Sequence, residues 1–278
     1  MPKKRIPASP LVKIIPNVIT ITALCFGLSA IRFADLGEWE KAVALIVIAA
    51  VLDGMDGRIA RLLHADSDFG VQLDSLSDFL SFGIAPAILI YMYSLKEWGN
   101  IGWGICLFFV TCQALRLARF NTHAGSGEKK PEWQVNFSTG VPAPAGAGLA
   151  MIPIMLHFAL HNQGIENYHL PQWVLALFML VSAALMASRV PAFVPKNIRA
   201  HPKSARFILI VVAIFMAALI SVPWMTLTVT GSLYLLSLPF SYIAYKRALK
   251  SYLNAPLVSS ASPATGRVPT RRKVLRSK

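Results

Sequence analysis

The sequence predicts an all-α integral membrane protein with about eight transmembrane helices and both termini on the cytoplasmic side. Three observations carry that expectation. First, of 278 residues, 55% are hydrophobic and only 14% are charged, too little polar material to cover a soluble fold of this size. Second, apolar runs of about 20 residues, the length needed to cross a bilayer, recur along the chain. Third, the basic residues fall between those runs and at the two ends, the pattern of membrane topology.

The runs lie at about 15–34, 41–63, 72–95, 100–120, 142–161, 171–189, 206–224 and 226–246. Lys3, Lys4, Arg5 and Lys13 before the first run give it the look of a signal peptide. No small-residue cleavage site precedes a polar mature domain, and further spans follow, so it reads as a first transmembrane helix. With the N-terminus in the cytoplasm and eight alternating helices, all but Arg32, Lys41 and Lys96 of the 27 basic residues fall on the cytoplasmic side. Six or seven helices would strand the 189–206 cluster or the basic tail on the wrong side. The chain therefore divides into a basic cytoplasmic N-terminus (1–14), a membrane domain (15–250) and a basic tail (251–278) expected to be disordered.

A net charge of +14 would point to nucleic acid on a soluble protein. No basic segment interleaved with aromatics is present, so nucleic acid is excluded as a partner, and the charge is assigned to topology and to anionic lipid headgroups. Cys25, Cys106 and Cys112 form no CxxC pair and lie in apolar segments, as small core residues do. His157, His161 and His169 cluster near an outer loop and read as interfacial. Trp98, Trp103, Trp173 and Trp224 fall at helix ends, as in an interfacial belt.

Six of the 13 acidic residues lie between positions 53 and 78. Asp53, Asp56, Asp74 and Asp78 fall within or at the edge of the second and third spans, where an ionised carboxylate costs about 3 kcal/mol on insertion scales. Asp53 and Asp56 are three apart and Asp74 and Asp78 four apart, so each pair shares one helical face. A turn around 64–70 makes the two helices antiparallel neighbours whose faces can meet. Four converging carboxylates need cations among them. Hard oxygen donors suit Mg2+ or Mn2+, and two such ions sharing carboxylates suit an in-line displacement at phosphorus.

The neighbours fit phosphate chemistry. Gly54 and Gly57 let a bulky ligand approach the backbone, although Gly54 fits close helix packing equally well. Arg61 offers a guanidinium fork to phosphate oxygens, and Gly70 opens the third helix where chains pack closely. Asp66 or Asp68 could cap that helix. Arg116 and Arg119 share a face near the cytoplasmic end of the fourth span, with Asn121 after them. They could hold lipid phosphates or an acceptor's carboxylate, or only anchor topology. Asn17 and Thr20 could contact a nucleotide, or serve only as helix-start polar residues.

Together these residues spell Asp53-x2-Asp56-Gly57-x2-Ala60-Arg61-x8-Gly70-x3-Asp74-x3-Asp78. This resembles the signature of the CDP-alcohol phosphatidyltransferase family at every fixed position. The resemblance implies a helical membrane enzyme with its catalytic core at about 41–121, usually a homodimer, that uses two divalent cations (Mg2+ or Mn2+) and releases CMP. It implies that Asp53 and Asp74 bridge both metals, that Asp56 and Asp78 complete the shells, and that Asp78 is the general base. Gly57, Ala60 and Arg61 would line the CDP site, with Ser67 contacting the nucleotide. Pro16–Thr20, Phe79–Ala87, Leu115–Asn121 and Gly140–Ala147 further resemble segments of bacterial and archaeal phosphatidylserine synthases. The substrates so implied are CDP-diacylglycerol and L-serine, in the cell membrane with the site facing the cytoplasm. Choline, glycerol 3-phosphate or an inositol compound are alternative acceptors within the same class. A divalent-cation transporter is the reading from a different class, but it predicts acidic residues on several helices at mid-depth.

Overall fold

A computed structural model describes residues 10–63, 65, 67–125, 137–165, 170–188, 190–193 and 202–254. Among them run α1 (Pro10–Asp35), α2 (Trp39–Leu63), α3 (Asp68–Asp78), α4 (Ala85–Tyr93), α5 (Asn100–Gly125), α6 (Ala143–His161), α7 (Gln172–Ala187), α8 (Pro202–Ser221) and α9 (Pro223–Asn254). The stretches before Pro10 and beyond Asn254, with His64, Asp66 and His169, lie outside the described residues.

The third expected helix starts earlier than its apolar run and is not uniform. Ser67 caps α3, its hydroxyl accepting from the Gly70 amide at 3.0 Å, so the cap is neither Asp66 nor Asp68. After Asp78 the rod widens into a π-helical segment, Phe79–Ile84, in which the Ala85 amide donates to the Leu80 carbonyl five residues back. Pro86, in the first turn of α4, has no amide to give, and the wider turn relieves the clash its ring would make with a carbonyl four residues earlier.

Among the described residues, five helical rods are long and apolar enough to cross a membrane: Ile14–Asp35, Asp68–Tyr93, Asn100–Thr122, Ala143–His161 and Pro223–Lys250. Gln172–Ala187 and Ile208–Ser221 are shorter apolar helices. In α2, charges at both ends (Glu40 and Lys41, then Asp53, Asp56, Arg58 and Arg61) leave a short apolar run between them. The chain is a multi-pass membrane protein.

The packing follows residue size. α1 carries Ala23, Gly27, Ala30 and Ala34 on one stripe, and its three alanines are buried. Small side chains let helices approach closely, and α1 packs most extensively against α2, where Ala42, Val43, Ile46 and Ala49 are buried. Gly27 is required by the π segment: a Cβ there would lie 2.4 Å from Ser81 Oγ and 2.9 Å from Ser81 Cα. α6 lies at the centre of the bundle, with Met151 and Ile154 buried against α4, α7 and α9. α8 instead turns Leu209, Ile214 and Ile220 outward, as a lipid-facing helix does.

Two details depart from the sequence reading. The fold is not wholly helical, because Phe137–Thr139 (β1) pairs antiparallel with Pro191–Phe193 (β2). Gly140 leaves β1 at φ 81°, and a Cβ there would stand 2.9 Å from the Ser188 carbonyl oxygen, so the turn needs glycine. Trp224, expected in an interfacial belt, is buried edge-on against the Phe158 ring at 5.2 Å. The three cysteines form no disulfide; Cys106 and Cys112 are buried, as expected of core residues, whereas Cys25 is exposed.

Candidate metal centre

The last turns of α2 and the whole of α3 bring the aspartates together. Asp53, Asp56 and Asp74 each offer a carboxylate oxygen, and these three atoms lie within 4.8 Å of one another. Asp78, one turn beyond Asp74, reaches the Asp53 carboxyl, which also meets Asp74. An all-carboxylate donor set this compact fits a hard divalent cation such as Mg2+ or Mn2+. Among the described residues the cluster holds no nitrogen or sulfur donor of the kind a zinc-type site would use.

Each carboxylate is held differently. Asp56 is buried and accepts a 2.6 Å hydrogen bond from the Thr20 hydroxyl. Thr20 is itself buried, its hydroxyl turned from α1 toward the Asp56 carboxylate. One helix over, Ser77 donates to the Thr20 carbonyl at 3.2 Å, locking α3 to α1 beside the site. Asn121 and Ser75 exchange hydrogen bonds of 3.0 and 3.2 Å, tying α5 to α3 next to Asp74.

Around the rim, the glycines behave as a ligand approach requires. A Cβ on Gly54 would meet nothing within 4 Å among the described residues, and one on Gly57 would meet only Arg61 Nη1 at 3.9 Å. Arg58, Arg61 and Leu62 line an open groove beside them, and Ala60 is half-buried one turn on. Gly70 is tight: its Cβ would stand 3.0 Å from Asn17 Oδ1 and 3.1 Å from Ser67 Oγ. Asn17 and Ser67 thus both border Gly70 at the entrance of α3. The Ser67 oxygen accepts the cap bond.

The α5 arginines part company. Arg116 lies within electrostatic reach of Asp78 and Asp53, and of Tyr234 on α9. Arg119, expected to share its task, donates to the Ala187 and Ser188 carbonyls at 2.7 and 3.4 Å. Its guanidinium sits at the negative end of the α7 dipole, a stabilising position, and braces α5 against α7.

Sequence reasoning missed Gln113 and Tyr234. Gln113 is fully buried on α5, one turn before Arg116. An amide in the middle of an apolar span was the signal that could have found it. Tyr234 gave no such signal, because a tyrosine in a spanning helix is unremarked until its neighbours are known.

Known proteins share this arrangement of sequence. The family model described as CDP-alcohol phosphatidyltransferase matches residues 13–181, and a second, CDP-alcohol phosphatidyltransferase 2, matches residues 206–239. The chain is 36% identical to a CDP-diacylglycerol–serine O-phosphatidyltransferase of Mycobacterium bovis, over 82% of this chain and 78% of that protein. It is 32% identical to a Helicobacter pylori protein of the same name, over 83% and 91% of the two chains. An archaetidylserine synthase of Methanothermobacter thermautotrophicus is 35% identical over 48% of this chain and 54% of its own. With the first match spanning all four clustered aspartates and most of the helical bundle, the chain belongs to the CDP-alcohol phosphatidyltransferase family.

Proposed function

We propose that this enzyme transfers a phosphatidyl group from CDP-diacylglycerol to L-serine, giving phosphatidylserine and CMP. The observation that carries the reaction type is the meeting of Asp53, Asp56 and Asp74 carboxylate oxygens within 4.8 Å of one another, with Asp53 and Asp56 on the same helix, α2, whose Arg58 and Arg61 line an open groove. The choice of serine is supported by the names of the relatives from Mycobacterium and Helicobacter, which match over most of the chain.

Two divalent cations held by Asp53, Asp56, Asp74 and Asp78 would neutralise the pyrophosphate and its leaving group. By the resemblance to the family, Asp53 and Asp74 would serve both ions, and Asp56 and Asp78 would complete the set that holds them. Gly57 and Ala60 let the CDP group approach the α2 backbone, while Arg61 binds phosphate oxygens. Ser67 and Asn17 border the nucleotide from the other side, and Thr20 keeps Asp56 aimed. Arg116 supplies positive charge on the inner side, beside Asp78. Arg119 and Asn121 hold α5 in place against α7 and α3.

Asp78 takes the proton of the serine hydroxyl as its oxygen forms a bond to the phosphorus that carries diacylglycerol. The bond from that phosphorus to the CMP oxygen breaks, and CMP leaves with the electron pair. The site faces the cytoplasm of an eight-span protein with both ends inside, a reading supported by the distribution of basic residues. A homodimer follows from the resemblance to the family.

The test is an acceptor panel on purified protein with CDP-diacylglycerol and Mn2+ or Mg2+. Radiolabelled serine is expected to give labelled phosphatidylserine and CMP. Reaction with glycerol 3-phosphate or choline, but not serine, would overturn the acceptor. In the same assay Asp78→Asn loses turnover by roughly 100- to 10,000-fold while still binding CDP-lipid; normal turnover would remove Asp78 as base.

A further inference from the structure

Several buried polar atoms beside the carboxylates have no hydrogen-bond partner among the described residues: Asp78 Oδ1, Arg116 Nη1, Tyr234 Oη, and both Nε2 and Oε1 of Gln113. Buried polar groups are nearly always paired, because an unpaired one forfeits its hydration without return. Several such atoms, on α3, α5 and α9, point to a polar occupant.

The fold groups these side chains. Gln113 and Arg116 are three residues apart on α5 and share a face. Gln113 packs on the π segment that follows Asp78: a Cβ on Gly83 would lie 3.0 Å from its Cγ. Arg116 lies within electrostatic reach of both Asp78 and Tyr234 of α9. Gln113 has none of its surface exposed, so its amide is cut off from bulk water and needs a partner inside the bundle.

We propose that Gln113 and Tyr234, with Arg116, form the subsite that selects an α-amino acid as acceptor, an inference that rests on the serine reading above. An amino acid presents a carboxylate and an ammonium group at a fixed separation. Arg116 Nη1, Tyr234 Oη and Gln113 Nε2 are donors for the carboxylate. Gln113 Oε1 is an acceptor for the ammonium. The hydroxyl of serine is then left for Asp78 Oδ1. Choline has no N–H to give Gln113 Oε1, and its positive charge would face Arg116. Glycerol 3-phosphate would bring a dianion with no cationic end for the same oxygen. Acceptor choice thus lies with a hydrogen-bond pattern, which discriminates more sharply than pocket size.

Full-length Gln113→Leu and Tyr234→Phe variants test this by steady-state kinetics in both substrates, together with thermal midpoints. The KM for serine is expected to rise roughly 10- to 100-fold in each, the loss of a hydrogen bond to a charged group. The KM for CDP-diacylglycerol should stay within about twofold, and the thermal midpoint should not fall, since an unpaired buried polar atom is removed. A lowered midpoint with an unchanged serine KM would make both residues structural and overturn the subsite. If Gln113→Leu does not fold, Tyr234→Phe, a loss of one oxygen, decides alone. Should the wild type refuse serine while using another alcohol, the acceptor reading and the subsite both fail; serine turnover with unaffected variants removes the subsite only.

Discussion

Thr20 and Asp56 sit 36 positions apart, and a 2.6 Å hydrogen bond joins them in the buried wall of the metal centre. Groups that orient a metal ligand usually matter almost as much as the ligand, costing about 10- to 100-fold in metal affinity when lost. Thr20→Val keeps the volume and removes the hydroxyl. The Mn2+ or Mg2+ concentration giving half-maximal activity is therefore expected to rise by about that factor, with turnover recovered at saturating metal. A metal titration that superimposes on the wild type would leave Thr20 as a packing residue. The aspartates were readable from sequence because three- and four-residue spacings report a shared helical face directly. Thr20's task was not, since its partner lies on another helix and a threonine near a helix start has an adequate local explanation.

At the scale of elements, α1 is built to come close. Its stripe of Ala23, Gly27, Ala30 and Ala34 faces α2 and the π segment, and Ser81 donates to the Ala23 carbonyl at 3.4 Å across that contact. Gly27→Val would drive a side chain into the backbone of Ser81, 2.9 Å from the Cβ position. Overpacking of this kind costs about 1–3 kcal/mol, so the purified variant should melt at lower temperature, and loss of Thr20's support for Asp56 should weaken metal binding with it. Helix existence was legible throughout, because apolar runs of spanning length leave few alternatives. Helix ends were less so: α3 begins at Asp68 because Ser67 caps it, and α9 continues to Asn254 beyond its apolar run. The β1–β2 ribbon was invisible, being two three-residue strands that pair across more than fifty positions.

For the molecule as a whole, the distribution of charge makes a prediction about sidedness. With eight crossings, Lys96 faces outward and Lys250 faces the cytoplasm. Single Lys96→Cys and Lys250→Cys variants, in a background lacking Cys25, Cys106 and Cys112, should react with a membrane-impermeant thiol reagent from opposite sides of sealed vesicles. Labelling from one side would refute the count. The long rod that carries Asp74 and Asp78 into the bundle adds a constraint of a different kind. Each residue of an α-helix advances the side chains by about 100°, and the π segment Phe79–Ile84 holds one residue more than an ordinary turn needs. Removing a single residue there would restore regular winding, yet it would rotate the carboxylates by about 100° relative to the buried face of α4. The phase between chemistry and membrane anchor is thus set by chain length in one turn, and that turn should resist deletion more than any apolar substitution around it.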